Sequence, residues 1–467
     1  MFWTVLRFDF KNLVRDRGAW VALLGFVLLA AYASLSGARL AAAEVQDHAA
    51  SHSAQRQRFE ALKQGAQAAE RGAAVRANQD PRDPHLVGRD LGRVVATLPH
   101  VPLSNIAVGQ RDLLPQAIVV TSEARLGDAG AEDSGSLARR VNGAFDLVFV
   151  LVYLFPLVVI SLTFDLLGAE RERGTLAMVL AQPISVGRYC ALKALSRGLC
   201  LGGVLISSAF LLPWLLAGAG DLASAVLYLA LLLSYLGFWL LLAVWVNSVG
   251  KTSAGNALTL ITLWLGLVVL LPGFAGVVVD TLHPSPSRVA LVNEARRATQ
   301  QAEAEVSAIE GDHGQPAQGV GALGSRAVQV QTELEGRLAP VVESFGARLA
   351  EQQALVDRLR FISPAIVAFE GMNDLAGSGV RRHQDFEAQV KQFHKEYKAF
   401  YFAKVRAGQP LASADHASLP AFEYREAGSG AMLRRVGSGI ASLVAACLLL
   451  GVAAARRLRR YLSHGLR

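Results

Sequence analysis

Apolar positions along this chain gather in six long windows that contain no charged residue, and the windows organise everything between them. Gly18–Ser36, Leu147–Phe164, Gly198–Gly220, Leu222–Gly250, Thr252–Val279 and Val436–Ala455 run for 18 to 29 residues each. A helix needs roughly 17–25 apolar residues to cross the hydrocarbon core of a bilayer. The pattern therefore predicts an all-α polytopic membrane protein with six transmembrane helices. The domain plan follows: residues 1–17, span one at 18–36, a polar segment at 37–141, span two at 142–164 and a short polar region at 165–197. Spans three to five then occupy 198–279, a second polar segment 280–435, span six 436–455 and a basic tail 456–467.

The two long polar segments carry patterns of their own. Ala38 to about Arg71 is rich in helix formers and free of Pro, so a helix is expected there. The punctuated stretch "DPRDPHLVGRDLGRVVATLPHVPLSNIAVGQRDLLPQAIVV" reads as turns with short strands or helices. Leu334, Leu338, Val341, Phe345, Leu349, Val356 and Leu359 recur at nearly helical spacing, with Pro340 and Gly346 predicting a kink or break. A further helix is expected over about Asp385–Val405. These segments read as two mainly helical lobes. Residues 1–17 are amphipathic, with Phe2, Leu6, Phe10 and Leu13-Val14 on one face. That suits either a helix in the headgroup plane or a simple basic flank.

Composition agrees with the window count: 52% of residues are hydrophobic, 18% are charged, and the mean hydropathy is +0.33. Charge then sets an expected orientation. Residues 1–17, 165–197, Lys251 and 456–467 hold fifteen Lys and Arg against five acids, whereas the short loop Gly218–Asp221 holds none. By the positive-inside rule both termini are expected in the cytoplasm, with the two long segments outside. Arg139-Arg140 and Arg434-Arg435 point the other way but adjoin long translocated segments, where the rule is weak. The pI of 9.6 is thus concentrated at one membrane face and suits anionic headgroups; nucleic acid is not implied. Cys190, Cys200 and Cys447 fall in or beside spans, which leaves the external segments without a disulfide framework. Asp9 and Asp16 argue against a cleaved signal peptide, so span one reads as a retained anchor.

Candidate chemistry is sparse. "VGKTSAG" at 249–255 contains Gly-Lys-Thr, but a P-loop needs Gly at position 245, which is Trp, and a strand before it. Asp47, His48 and His52 offer an i, i+4 histidine pair without an evident third ligand, so no metal is assigned. No nucleophile–base set is placed by the sequence, and the chain reads as a non-catalytic subunit that binds no cofactor. Asp146, Asp165, Asn247 and Asn256 lie near the span ends and read as boundary residues. Glu170-Arg171-Glu172-Arg173 cannot lie in hydrocarbon, where each charge at a helix centre costs roughly 2.5–3.5 kcal/mol. The segment is expected in water beside the membrane. Gly174 permits a tight turn, Thr175 a cap, and Leu176, Val179 and Leu180 an apolar stripe that Pro183 ends.

The run "FDLVFVLVYLFPLVVISLTFDLLGAERERGTLAMVLAQPISVGRYCALK" resembles permease subunits of type-2 ABC transporters. In that family the E-x-E-x-G-T-L segment, a following Pro and a Lys opening the next span form the cytoplasmic region that meets the ATPase. The resemblance places Glu170, Glu172, Gly174, Thr175, Leu176, Pro183 and Lys193 in that role, with Arg171 and Arg173 inside the same segment. "PLSNIAVGQRDLLP" at 102–115 and "SPAIVAFEGMNDLAGSGVRRHQDF" at 363–386 are similar to signatures of a subfamily with large extracytoplasmic segments of unassigned function. The resemblance implies a bacterial inner-membrane exporter subunit that pairs with a second permease, identical or related. Two copies of a partner ATPase would bind the ATP and magnesium. The alternative is an ATP-driven mechanotransmitter that remodels a periplasmic partner.

Overall fold

The computed structural model describes residues 2–107, 115–122, 145–182, 184–217, 221–250, 252–284, 320–426 and 428–464, with short pieces between 293 and 304. Six helices are long and apolar enough to cross a membrane: Arg17–Glu70, Leu147–Glu172, Val186–Leu216, Leu222–Val249, Ser253–Leu282 and Gly430–Arg459. They are numbered here spans 1 to 6. The chain is an all-α polytopic membrane protein, as the apolar windows predict.

Polar residues start the first five of these helices. Asp16, Asp146, Ser185, Asp221 and Thr252 each accept a hydrogen bond from a backbone N–H in the first turn of spans 1 to 5 respectively. Such caps satisfy donors that a helix end leaves open. Asp146 is thus a boundary residue, as expected. Spans 2 and 4 lie innermost; Tyr228, Tyr235 and Trp239 of span 4 are each 1% exposed, and spans 2, 3 and 6 pack against it. Span 5 stands at the margin, where only 11% of its apolar window is buried.

Spans 2, 3 and 5 each contain a wide π turn, at Val150–Leu154, Ile206–Leu211 and Leu265–Leu270. Pro156, Pro213 and Pro272 follow directly. A proline has no N–H and crowds the carbonyl four residues earlier, so a widened turn relieves the clash but frees a carbonyl. In lipid that carbonyl needs a donor. Val152, four before Pro156, accepts from the Tyr235 hydroxyl at 2.9 Å, and Ala209, four before Pro213, from the Tyr228 hydroxyl at 2.8 Å. The Leu267 carbonyl, five before Pro272, accepts from Ser363 Oγ.

Span 1 continues past the bilayer without a break. Its 54 residues extend about 80 Å at 1.5 Å per residue, so its far half enters the polar head. There it meets a two-stranded antiparallel ribbon, β1 (Val94–Thr97) and β2 (Ala117–Val120), with Val94 opposite Val120. Helices Val320–Leu359, Pro364–Leu375 and Val380–Ala407 complete the head. The first of these runs through Pro340 and Gly346 without ending. The two polar segments interlock around one core that includes Val94, Val120, Phe386, Phe393, Tyr397 and Tyr401. Tyr397 donates to the Gly92 carbonyl at 2.9 Å, Leu411 N to the Arg82 carbonyl at 2.8 Å, and Ser413 N to Glu70 at 2.7 Å.

Two short pieces seat the head on the bundle. Asn105, in the turn Pro102–Ile106, donates to the Pro213 carbonyl of span 3 at 2.8 Å. The turn lies so close to span 1 that a Cβ on Gly37 would sit 2.0 Å from the Asn105 carbonyl oxygen. Helix Pro364–Leu375 covers the bundle beside it: a Cβ on Gly371 would sit 2.8 Å from the Leu231 side chain of span 4. Its Asp374 and Glu370 meet Arg435 of span 6 at 2.8 and 3.2 Å, and Asp357 adds a third carboxylate at 3.4 Å. Burial raises the pKa of Glu370 and pushes Asp374 up to about 6, with Arg435 opposing both shifts.

Candidate functional site

The charged segment that closes span 2 lies at the end of the bundle opposite the head. The apolar helix of span 2 stops at Thr163, and Leu166 and Leu167, fully buried, pin the following turn against Val186, Cys190, Val244 and Leu458. The carbonyls left open at the end of span 2 are satisfied from the span 4–span 5 hairpin. Asn247, fully buried, donates to Thr163 O at 3.0 Å and accepts from Leu167 N at 3.2 Å. Asn256 donates to Phe164 O at 3.2 Å and to Asn247 Oδ1 at 3.0 Å. These two asparagines, read from sequence as boundary residues, form an internal network that binds spans 2, 4 and 5 together.

A short helix, Gly168–Glu172, carries the first three charges, and each reaches a different part of the bundle. Glu170 Oε1 accepts from Lys193 Nζ at 2.7 Å and from the Tyr189 hydroxyl at 3.1 Å, both on span 3. Arg171 Nη1 donates to the Asn247 carbonyl at 3.3 Å and to the Gly250 carbonyl, at the end of span 4. Glu172 accepts from Ser253 N at 2.7 Å and from its hydroxyl at 3.2 Å, at the start of span 5. The helix approaches span 5 so closely that a Cβ on Gly168 would lie 2.5 Å from Ser253 Oγ. In this charged run Glu170 and Arg171 are half-buried, whereas Glu172 binds Ser253 at the surface and Arg173 is exposed.

Beyond it the chain turns outward. Gly174 has φ +70°, a left-handed conformation that favours glycine, as the sequence reading expects. Thr175 precedes helix Leu176–Leu180, but its hydroxyl donates back to the Glu170 carbonyl at 3.4 Å and makes no cap bond. Leu176 is buried. Arg173, Gly174 and Thr175 are exposed, and Met178 is 73% exposed. The result is a ledge held from beneath by Glu170, Arg171 and Glu172, with Arg173 and Met178 facing away from the bundle. Pro183 and Lys251 lie outside the described residues, as do 108–114 of the first subfamily motif and Arg139-Arg140.

Span 3 begins at Val186, twelve residues before its apolar window, so Lys193 and Arg197 stand within the helix. Arg197, 9% exposed, is the residue that sequence reasoning missed. It pairs with Asp165 after span 2 at 2.5 Å and with Asp9 of the N-terminal helix at 3.7 Å, and it donates to the Leu162 carbonyl. Tyr189, Lys193 and Arg197 recur every four residues, a helical stripe that was the available signal. Helix Phe2–Arg15 accordingly turns Asp9 inward at 5% exposure, while Phe10 and Val14 of its expected apolar face are 53% and 46% exposed. The helix thus turns its carboxylate toward Arg197 and leaves this part of its apolar face open.

The other sequence candidates are structural. Thr252 of the Gly-Lys-Thr run accepts from Gly255 N at 3.1 Å and starts span 5. His52 hydrogen-bonds Thr97 Oγ1 at 3.0 Å, fixing span 1 to the β ribbon. Among the described residues, no three His, Cys, Asp or Glu gather in a way that would hold a metal ion. A family model described as "Domain of unknown function (DUF3526)" matches residues 289–425. The match falls inside the second polar segment and leaves out the spans and the ledge. No curated protein matches the chain.

Proposed function

We propose that this chain is the permease subunit of an ATP-driven ABC transporter of the type-2 class, working as an exporter in a bacterial inner membrane. The observation that carries the reading is the ledge. An outward face at Arg173–Met178 rests on three consecutive side chains that reach spans 3, 4 and 5. A partner pressing there displaces all three spans together, which is what coupling to a separate ATPase requires. Two ATPase copies with bound ATP and magnesium supply the energy, and a second permease completes the path. The basic residues gathered at the ledge end support a cytoplasmic ledge and termini, with the head outside.

The test separates docking from folding. Met178→Glu changes a side chain with no internal load, so it should abolish copurification of the cognate ATPase and stimulated hydrolysis while leaving thermal unfolding unchanged. Retention of both activities by Met178→Glu and Arg173→Glu would sink the assignment. Glu170→Lys serves as the contrast, because facing Lys193 it should lower stability itself.

A second reading rests on span 1. One unbroken helix, Arg17–Glu70, carries motion from the bilayer into the head core, where Phe59 and Leu62 pack. That is the geometry of a lever on a periplasmic partner. Accumulation of cargo in vesicles bearing the cognate ATPase favours transport; ATP-driven head motion without accumulation favours the lever.

A further inference from the structure

A concave groove opens between spans 3, 4 and 6 at the ledge end, away from the ledge itself. Its cavity measures about 560 Å³. Small residues line it, with Ala191 on span 3, Gly237 on span 4, and Gly451 and Ala454 on span 6 withdrawing side-chain volume along its length. Larger side chains, among them Leu240 and Leu458, wall it. At its mouth stand two exposed guanidiniums, Arg188 in the first turn of span 3 and Arg459 near the end of span 6. Among the described residues, no carboxylate lines it.

We propose that this groove binds one acyl chain of an anionic phospholipid, with Arg188 and Arg459 sharing the headgroup phosphate. Depth supports the assignment. Gly451 to Arg459 is eight residues, about 12 Å of helix, close to the roughly 15 Å of a single leaflet. The floor is apolar and offers dispersion contacts that flat helix surfaces do not, whereas the mouth is cationic. Apolar depth and positive charge at the mouth together match a lipid, which carries an acyl chain and an anionic phosphate in one molecule. Basic pockets between helices at a membrane face hold anionic headgroups in this way. The proposal depends on the six spans crossing a bilayer and is independent of the ATPase assignment.

Native mass measurement of the full chain from mixed phosphatidylglycerol and phosphatidylcholine vesicles tests it. Phosphatidylglycerol should be retained in preference. Each of Arg188→Gln and Arg459→Gln should cut that preference about fivefold, the factor expected for one basic residue near a lipid surface. Gly237→Leu, which fills the floor, should release the lipid while both arginines remain; thermal unfolding checks that the variant is folded. Equal retention of the two lipids, or preference unchanged by both arginine variants, would overturn the proposal. So would displacement by inorganic phosphate, which would indicate a site for the free anion. Cross-linking of Leu195→Cys to a second copy would likewise refute it, by assigning the groove to a protein interface.

Discussion

Arg197 holds three pieces of chain that are far apart in sequence: the N-terminal helix through Asp9, the end of span 2 through Asp165, and the Leu162 carbonyl. A charge at 9% exposure is tolerable only because carboxylates and a carbonyl surround it. Removing it strands Asp9, which is 5% exposed. Arg197→Met should therefore lower unfolding stability by about 3–5 kcal/mol. Adding Asp9→Asn in that background should recover part of the loss, because the stranded charge goes with it. Unfolding of the three variants in one detergent measures the coupling; strictly additive losses would refute the pairing. The four-residue stripe Tyr189–Lys193–Arg197 was legible in the sequence, but counting uncharged windows placed the start of span 3 at Gly198 and left the stripe in a loop. Glu170 and Glu172 stood out in the sequence as charges between apolar runs. Their partners were not legible, since Lys193 and Ser253 lie 23 and 81 residues away.

Among the elements, six spans and the helix near 385–405 were readable because each is one periodic or apolar run. The π turns were not. Pro156, Pro213 and Pro272 sit in windows whose apolar character hides them, and the hydroxyls that answer the freed carbonyls come from other helices. The arrangement makes a prediction that depends on the proline. Tyr235→Phe leaves the Val152 carbonyl without its donor in an apolar setting, at a cost of about 1–3 kcal/mol. In a Pro156→Ala background the new N–H at position 156 can reach that same carbonyl, four residues back. The cost of Tyr235→Phe should then shrink, as read by thermal unfolding of the double-mutant cycle. An identical cost in both backgrounds would show that the hydroxyl does not serve the proline turn. The joint core of the head was equally hidden from sequence, since Tyr397 reaches Gly92 across 305 residues.

For the whole molecule, the lipid-facing surface bears on assembly. Two ATPases that close on one another present two docking sites, and this chain offers one ledge, so the transporter reading requires two permeases related by a twofold or pseudo-twofold axis. The sequence points to spans 1 and 5 through the small residues Gly25, Ala30-Ala31, Gly266 and Gly273. Ala30 drops out, because it is 0% exposed within the chain's own core. Gly25, Gly266 and Gly273 have nothing within 4 Å of an added Cβ and remain open to close approach. The two spans also belong to one continuous face. Tyr32 of span 1 packs on Phe145 at 6.0 Å, Phe149 stacks on Tyr153 at 5.1 Å, and the Trp264 indole of span 5 donates to the Tyr153 carbonyl at 3.1 Å. On these two spans Leu28, Leu258 and Phe274 are 66–69% exposed. Native mass measurement with the cognate ATPase present should give two permeases per two ATPases, and Gly266→Cys should cross-link to the facing permease. A stable complex that hydrolyses ATP with a single permease chain would overturn the pairing, and with it the use of this face.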